Sequence, residues 1–405
     1  MTLDLRTRRD GPNDDVDITD FFARELPRLA QERSDLAVPG AVELGVTPFT
    51  VLTSEGAWTL SIGDGQVRIE AGDRGAASVR LDRVELTDLV HDLRTPMTLL
   101  TAGTLDMPQG NLGDFLDWWV VLRSLLDARP VHVAGAVGFT DRDGADLKLE
   151  QSFGADADPA DMAHFLAEAG FLHLTNVFSA AEMAEVSADM DAALEHYVPD
   201  DGRSWWAATA DGEQRAVRLQ WFQEHSDVTS ELLRDDRLLG LAALSGDGHH
   251  LRRRENMIEA LIKPIGVVRG ISDLPWHKDC SLGRHSYRCC SLTVGISVTG
   301  ADEHSGQLAV VAGSHRALVQ PAFFRKSWKL PEIPLPTEAG DVTVHCSCTL
   351  HKSYPPVERE RRVMYTDLTL PAEGDDEMLT RSGSEIARVR ERAYKVVSQA
   401  PGFTA

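Results

Sequence analysis

His277 and Asp279 stand two residues apart in Trp276-His277-Lys278-Asp279, and His351 follows far along the chain in Thr349-Leu350-His351-Lys352-Ser353. Two imidazoles and one carboxylate form a donor set that a non-haem Fe(II) ion takes on one face, leaving positions open on the other. Closing that set obliges the chain to bring a distant segment back beside the first. Paired strands do this, because residues two apart share one side of a strand and neighbouring strands lie about 4.8 Å apart. The pattern therefore points to a β scaffold, with His277 and Asp279 projecting from one strand and the third ligand from a neighbour. Other histidines compete for that third place. His345 lies on the strand pattern leading to His351, alternating with Val344. His315 sits in the turn-like Gly313-Ser314-His315, and His285 and His304 fall in loop sequence.

A chain of 405 residues exceeds one ordinary core, so two or three domains are expected. Its formal net charge of −22 repels phosphate backbones and anionic headgroups, which argues against nucleic acid and electrostatic membrane docking. Residues 1–20 contain no apolar signal-like core, and no run of about 18 apolar residues occurs, so a cytoplasmic protein without a membrane span is expected. The five cysteines, Cys280, Cys289, Cys290, Cys346 and Cys348, are odd in number and read as free thiols. The single residue between Cys346 and Cys348 is too short for the usual zinc spacing. Alternation puts both on one strand face, as buried small hydrophobes.

Residues 1–19 read as a mobile tail, residues 20–150 as a smaller α+β domain, and residues 151–405 as the domain that carries the histidines. In the smaller domain, Phe21, Phe22, Leu26 and Leu29 have helical spacing, predicting a helix from Asp20 to Glu32. Phe49 to Thr53 and Trp58 to Ile62 alternate like strands. Gly63-Asp64-Gly65 is a tight-turn signal, Val67 to Glu70 returns from it, and Ala77 to Leu81 adds a further strand. Helices follow at Val84 to Leu93 and after Thr95-Pro96. Asn111 to Ala128 gives the strongest amphipathic pattern, with Leu112, Phe115, Trp118, Trp119, Leu122, Leu125 and Leu126 on one face. Val131 to Val137 reads as a short strand. The run Leu60 to Ile69, then Val79-Arg80-Leu81, Leu86 to Leu93 and Gly103 to Met107, is similar to the sterol-carrier-protein-2-like family over residues 40–128. That resemblance implies an apolar-ligand or docking module.

In the larger domain, Asp158 to Gly170 reads as a helix, Phe171 to Val177 as a strand, and Ser179 with Glu182 as the capping box of a helix from Ala180 to Tyr197. Ser382 to Gln399 reads as a closing helix. The ordered series Leu261 to Val267, Leu274 to Asp279, Leu292 to Val298, Ser305 to His315, Gly340 to His345, His351 to Ser353 and Arg361 to Tyr365 resembles the phytanoyl-CoA dioxygenase family over residues 158–371. The resemblance implies a double-stranded β-helix (jelly roll) with flanking helices. It implies Fe(II) held by His277, Asp279 and His351, with 2-oxoglutarate and O₂ as cosubstrates. His351 takes the third place because Ser353 and Arg362 follow it at the family's spacing, and His315 is a scaffold position. Arg362, eleven residues after His351, would bind the far carboxylate of 2-oxoglutarate with help from the Ser353 hydroxyl, and its neighbour Arg361 is the alternative anchor. Family members that halogenate have a small residue where this chain keeps Asp279, so hydroxylation or a related C–H oxidation is implied, coupled to conversion of 2-oxoglutarate to succinate. The carrier-like domain implies a small, apolar substrate such as a lipid, steroid or other secondary metabolite. Trp205, Trp206, Trp221, Phe222 and Trp328 lie where this family covers its pocket, and Lys263 on its strand could face it.

Overall fold

A computed structural model describes residues 15–92, 94–251, 257–270, 274–281 and 291–370. The tail to residue 14, Cys289, Cys290, His285 and the expected C-terminal helix lie outside the described residues. The first helix starts earlier than expected and runs well past Glu32. It comprises α1 (Ile18–Asp20), a π-helical stretch (Phe21–Glu25) and α2 (Leu26–Leu44). The Asp17 carboxylate opens it by accepting from the Asp20 amide, and Gly45 closes it in the left-handed conformation (φ 70°). Its second half hid behind Pro39 and Gly40, residues that normally disfavour helices. Gly40 is there for packing: a Cβ at that position would lie 2.3 Å from Val131.

The helix covers a five-stranded sheet of β1 (Phe49–Thr53), β2 (Gly56–Gly63), β3 (Gln66–Ala71), β4 (Ala77–Arg80) and β5 (Asp106–Gln109), in the order β3-β2-β1-β4-β5. The turn from β2 to β3 places Asp64 and Gly65 at positive φ (51° and 74°), as a tight hairpin of this hand requires. Between β4 and β5 run α3 (Arg83–Val90) and α4 (Pro96–Ala102), and α5 (Leu112–Asp127) follows β5. Each of these three helices begins with a capping box: Asp82 with Glu85, Thr95 with Thr98, and Asn111 with Asp114. Helix α5 buries Phe115 and Trp118, and the Trp118 indole donates to the Thr47 carbonyl at 2.7 Å. Trp118 therefore fills the core. Trp119 borders an apolar cavity of about 20 Å³, about the room of a single water and far short of a lipid. The strand expected at Val131 to Val137 reduces to one parallel bridge between Val131 and Leu318.

The remaining chain adds α6 (Pro159–Ala169), β6 (Phe171–Leu174), α7 (Ala180–Ala193), β7 (Ser204–Thr209), β8 (Gln214–Leu219), α8 (Asp227–Leu232), α9 (Asp236–Leu239), β9 (His250–Leu251), β10 (Glu259–Lys263) and β11 (Val267–Arg269). It continues with β12 (Leu292–Ser297), β13 (Leu308–Val311), β14 (Glu332–Leu335), β15 (Val342–Cys346), β16 (His351–Ser353) and β17 (Arg361–Thr369). A large sheet has the order β11-β7-β8-β10-β17-β12-β15-β6, with β9 also paired to β17, and a small sheet has the order β14-β13-β16. Every strand pair in both sheets is antiparallel. Period-two alternation sorts the large sheet. Val294, Ile296, Val342, Val344, Met364 and Leu368 join the apolar core with Phe165, Met183, Val186 and Met190 of α6 and α7. The alternate positions, Thr293, Thr343, His345, Arg361 and Tyr365, belong to the opposite face, and the small sheet meets that polar face through β16.

Candidate metal centre

The His277 segment is not a strand. His277 forms one antiparallel bridge with His351, amide to carbonyl in both directions at 2.9 and 3.0 Å, and the chain then turns into a 3₁₀ turn, Asp279–Ser281. The bridge sets the two imidazoles side by side, with centroids 4.2 Å apart, and the turn swings the Asp279 carboxylate beneath them. Asp279 Oδ1 lies 3.2 Å from His277 Nε2 and 3.6 Å from His351 Nε2. One ligand atom from each of these three side chains falls within 4.8 Å of the others. Ligand atoms about 2.1 Å from one ion and at right angles stand about 3 Å apart, so the set has the dimensions of one coordination face.

The hydrogen bonds behind the rings fix which nitrogen is free. His277 Nδ1 meets the Pro275 carbonyl at 2.8 Å and His351 Nδ1 meets the Thr349 carbonyl at 2.9 Å. A carbonyl only accepts, so each Nδ1 carries the proton and a neutral ring presents a bare Nε2. Burial pushes His351 well below the usual imidazole range, which keeps it neutral. Burial would raise the Asp279 carboxyl, but His351, His277 and His345, where they carry a proton toward it, outweigh burial and hold it well below the usual carboxylate range; a bound cation would take over that role and leave the nitrogens bare. Two bare nitrogens and an ionised oxygen converging at these distances repel one another unless a cation sits between them. The donor set thus fits a divalent metal ion.

Asp279 is held from its other oxygen. Thr293 Oγ1 donates to Asp279 Oδ2 at 2.9 Å, and His345 Nε2 stands 3.5 Å from that same oxygen. Thr293 and His345 are register partners across β12 and β15. Neither ring nitrogen of His345 has a hydrogen-bond partner among the described residues, although the ring is 1 % exposed. His345 therefore borders the centre from the side of Oδ2, whereas His351 faces Oδ1 together with His277. His315 stays out of the centre. Its Nε2 meets the Ala167 carbonyl at 3.0 Å, and burial pulls its pKa down to about 4. His304 is half-buried, its side chain 44 % exposed, and it lies away from the centre beside Glu303 and Glu358.

Arg362, expected to anchor a cosubstrate, points away from the polar face. Arg362 points to the helical side, where it pairs with Asp191 at 2.8 Å and Glu360 at 2.9 Å and donates to the Ser187 carbonyl at 2.8 Å. Adjacent strand residues face opposite sides, so Arg361 is the one on the polar face, 4 % exposed. Arg361 Nη1 donates to Ser353 Oγ at 3.2 Å and to the Gly306 carbonyl at 2.9 Å, and Nη2 lies 3.4 Å from the Tyr365 hydroxyl. Ser353, expected to assist Arg362, lies beside Arg361 instead. Lys263, 2 % exposed, donates to Ser353 Oγ at 2.5 Å and to the Tyr354 carbonyl at 3.0 Å. No carboxylate pairs with Arg361 among the described residues, and its Nε is buried without a partner. A guanidinium kept dry beside neutral oxygens has the chemistry to take an anion.

Sequence reasoning missed Thr293 and Tyr365. Their signal was present: Thr293 and Gly295 alternate with Val294 and Ile296, and Tyr365 with Met364, which marks a polar inner face. The tryptophans divide. Trp328 is buried beside Trp276 and Phe324, whereas Trp205 lies under the Arg218 guanidinium, 4.4 Å from it. Of the described cysteines, Cys346 is buried in the core and ends β15, and Cys348 lies beyond that strand, so the two do not share a strand face.

No helix among the described residues is long and apolar enough to cross a membrane. Among solved structures, AviO1 from Streptomyces viridochromogenes Tue57 is similar, at 24% identity over 54% of this chain and 97% of that one, with a TM-score of 0.42. The epimerase SnoN in complex with Fe3+, alpha ketoglutarate and nogalamycin RO is similar at 20% identity over 56% and 91% of the two chains, with a TM-score of 0.43. EctD from S. alaskensis with 2-oxoglutarate and 5-hydroxyectoine is similar at 19% identity over 57% and 86%, with a TM-score of 0.43. No curated protein sequence matches the chain. The part of the chain that carries all three candidate ligands, Ser353, Arg361 and Arg362 is also the part that matches a known family: residues 166–363 match the model of phytanoyl-CoA dioxygenase (PhyH).

Proposed function

We propose that this chain is a non-haem Fe(II)- and 2-oxoglutarate-dependent dioxygenase that hydroxylates, or otherwise oxidises a C–H bond of, a small apolar organic molecule. The observation that carries this reading is the pairing of two sites beside the polar face of the large sheet: a three-donor metal set against Thr293 and His345 and, beyond Ser353, a buried guanidinium lacking a carboxylate. His277, Asp279 and His351 would hold the ion, with two neutral imidazoles and one carboxylate leaving a divalent ion net positive and receptive to an anionic chelator. Iron bound there with 2-oxoglutarate supplies activation of O₂ coupled to decarboxylation of the keto acid to succinate. The chain's own part is positional. The Nδ1 contacts lock both imidazoles, Thr293 fixes the carboxylate, and Arg361, with Ser353 and Lys263, binds the far carboxylate of the cosubstrate in a dry site where charge-assisted hydrogen bonds are strong. Asp279 occupies a ligand position with a carboxylate, which leaves no vacancy there for a halide.

The N-terminal α+β unit is proposed to be sterol-carrier-protein-2-like, on the order of its strands and helices. Its small, wholly apolar cavity supports a closed core in place of an open lipid tunnel, so a purely carrier function is the weaker reading.

An anaerobic titration of the Fe(II)-loaded protein with 2-oxoglutarate, followed by the visible charge-transfer band, tests the assignment. Removing one partner of a buried charge contact costs about 2 kcal/mol or more, so Arg361→Ala should need roughly thirtyfold more 2-oxoglutarate. Arg362→Ala should stay close to wild type. A protein shown to bind Fe(II) that develops no band would remove 2-oxoglutarate from the function. The opposite ranking of the two variants would return the anchor to Arg362.

A further inference from the structure

The turn that presents Asp279 is held by α4 and its cap, in the part of the chain that precedes the stretch matching the dioxygenase family. The Thr95 hydroxyl donates to the Ser281 carbonyl at 2.8 Å, and Thr98 Oγ1 reaches that same carbonyl at 3.3 Å. Thr95, Thr98 and Ser281 are 5, 6 and 2 % exposed, so water does not compete for these contacts. Ser281 closes the 3₁₀ turn that Asp279 opens, and its own hydroxyl donates back to the Lys278 carbonyl at 2.6 Å. The Lys278 amide donates to the Pro321 carbonyl at 3.0 Å. The next residue, Ala322, packs with Met97 and Leu100 of α4 and Leu116 of α5 in one small apolar cluster, with Phe323 against it. The turn is therefore gripped twice by α4: directly at Ser281, and through the 321–323 segment at Lys278.

We propose that Thr95 and Thr98 are positioning residues for the metal centre, fixing the Ser281 carbonyl and with it the orientation of Asp279; this rests on the metal reading above. A hydroxyl can donate and accept together, and Thr95 uses both capacities. It donates to Ser281 and accepts from the Thr98 amide at 3.3 Å as the cap of α4. One side chain thus ties the start of a helix in the N-terminal half to the ligand turn of the other half. The N-terminal half is in this sense a structural part of the metal centre.

The test uses the full-length protein and Co(II), read by competition with a chromophoric chelator and by the visible d–d spectrum, alongside thermal unfolding. Direct outer partners of metal ligands typically cost 10- to 100-fold in affinity when removed; Thr95 acts one step further out, through the Ser281 carbonyl, so Thr95→Val should bind Co(II) more weakly by no more than the low end of that range, about tenfold, with an altered spectrum. Thr95→Ser keeps a hydroxyl that can both donate and cap, and should restore wild-type affinity and spectrum. Thr98→Ala, which loses the longer contact, should shift affinity in the same direction by less, and it serves alone if Thr95→Val does not fold. Wild-type Co(II) affinity and spectrum in a folded Thr95→Val protein, or in Thr98→Ala in its place, overturn the proposal while leaving the metal site standing. Absence of Co(II) binding by the wild type overturns the metal reading itself.

Discussion

At the scale of single residues, the centre depends on atoms that never touch the ion. Gly170 is the clearest. It ends α6 at φ 85°, and its carbonyl accepts from the Thr349 hydroxyl at 2.8 Å and from the Cys346 amide at 3.0 Å. These bonds fix the chain entering His351, because the Thr349 carbonyl in turn accepts from His351 Nδ1. A Cβ at Gly170 would lie 2.3 Å from His315 Nδ1 and 2.6 Å from Thr349 Oγ1. His315 is tied to the Ala167 carbonyl and cannot retreat without losing that bond. Gly170→Ala should therefore cost at least about 1–3 kcal/mol from its backbone conformation alone, read as a lower denaturant midpoint at unchanged slope. A midpoint equal to wild type would show that His315 and Thr349 yield freely and that the close approach carries no constraint. The assignment of the anion seat is a residue-scale matter too. Arg361 and Arg362 are chemically identical, and only the facing of β17 separates them.

At the scale of elements, the strands and helices were largely legible and the site was legible in part. Gly63-Asp64-Gly65 marked the β2–β3 hairpin because only residues tolerant of positive φ suit that turn. Ser179 with Glu182 marked the start of α7 because a reciprocal cap has a fixed spacing. The three ligands were legible as residue types and order. Their mechanism of convergence was not: His277 and Asp279 meet through a bridge and a 3₁₀ turn, and no periodicity encodes a turn that is held by Thr95 from far away. The facing of Arg361 was illegible for a related reason. Glu358-Arg359-Glu360-Arg361-Arg362 has no apolar alternation from which a strand face could be read. The α7 cap also carries a pH prediction. A hydrogen bond from Arg237, then the Ser179 amide, lowers the Glu182 carboxyl to about 2. With a folded value below the ordinary 4.5, its contribution is full above pH 4.5 and disappears as pH falls toward 2. Glu182→Gln should lower stability at neutral pH by less than about 1 kcal/mol, since the pair is partly solvated, and the gap from wild type should close on acidification. A gap that persisted at pH 2 would assign the effect to packing.

At the scale of the whole molecule, two large cores are joined by a third, smaller one. The N-terminal core gathers around α2, α5 and the five-stranded sheet, and the other lies between α6, α7 and the large sheet. Between them, Leu116 of α5 is fully buried against Met97, Leu100 and Ala322. Beside this cluster, the buried Asp117 accepts from Arg325 at 2.5 Å and lies 3.4 Å from Gln320 Nε2, while Arg325 also donates to the Leu44 carbonyl at 3.1 Å. Burial pushes the Asp117 carboxyl up against the pull of Arg325, so separating the halves would expose an apolar patch and divide a desolvated ion pair. Interfaces of that kind couple the unfolding of the parts they join, whereas polar, weakly packed ones let domains melt separately. The chain should then unfold in one calorimetric transition. Leu116→Ala, which opens a cavity at the junction, should cost about 2–5 kcal/mol and lower that single transition as a whole. If the halves were independent, two transitions would be resolved and Leu116→Ala would shift only the one belonging to the N-terminal half. Paired with Co(II) affinity, the variant also separates two kinds of coupling. A lowered transition with intact affinity would mean that the halves share stability alone, and a loss of both would mean that the junction also sets the geometry around Asp279.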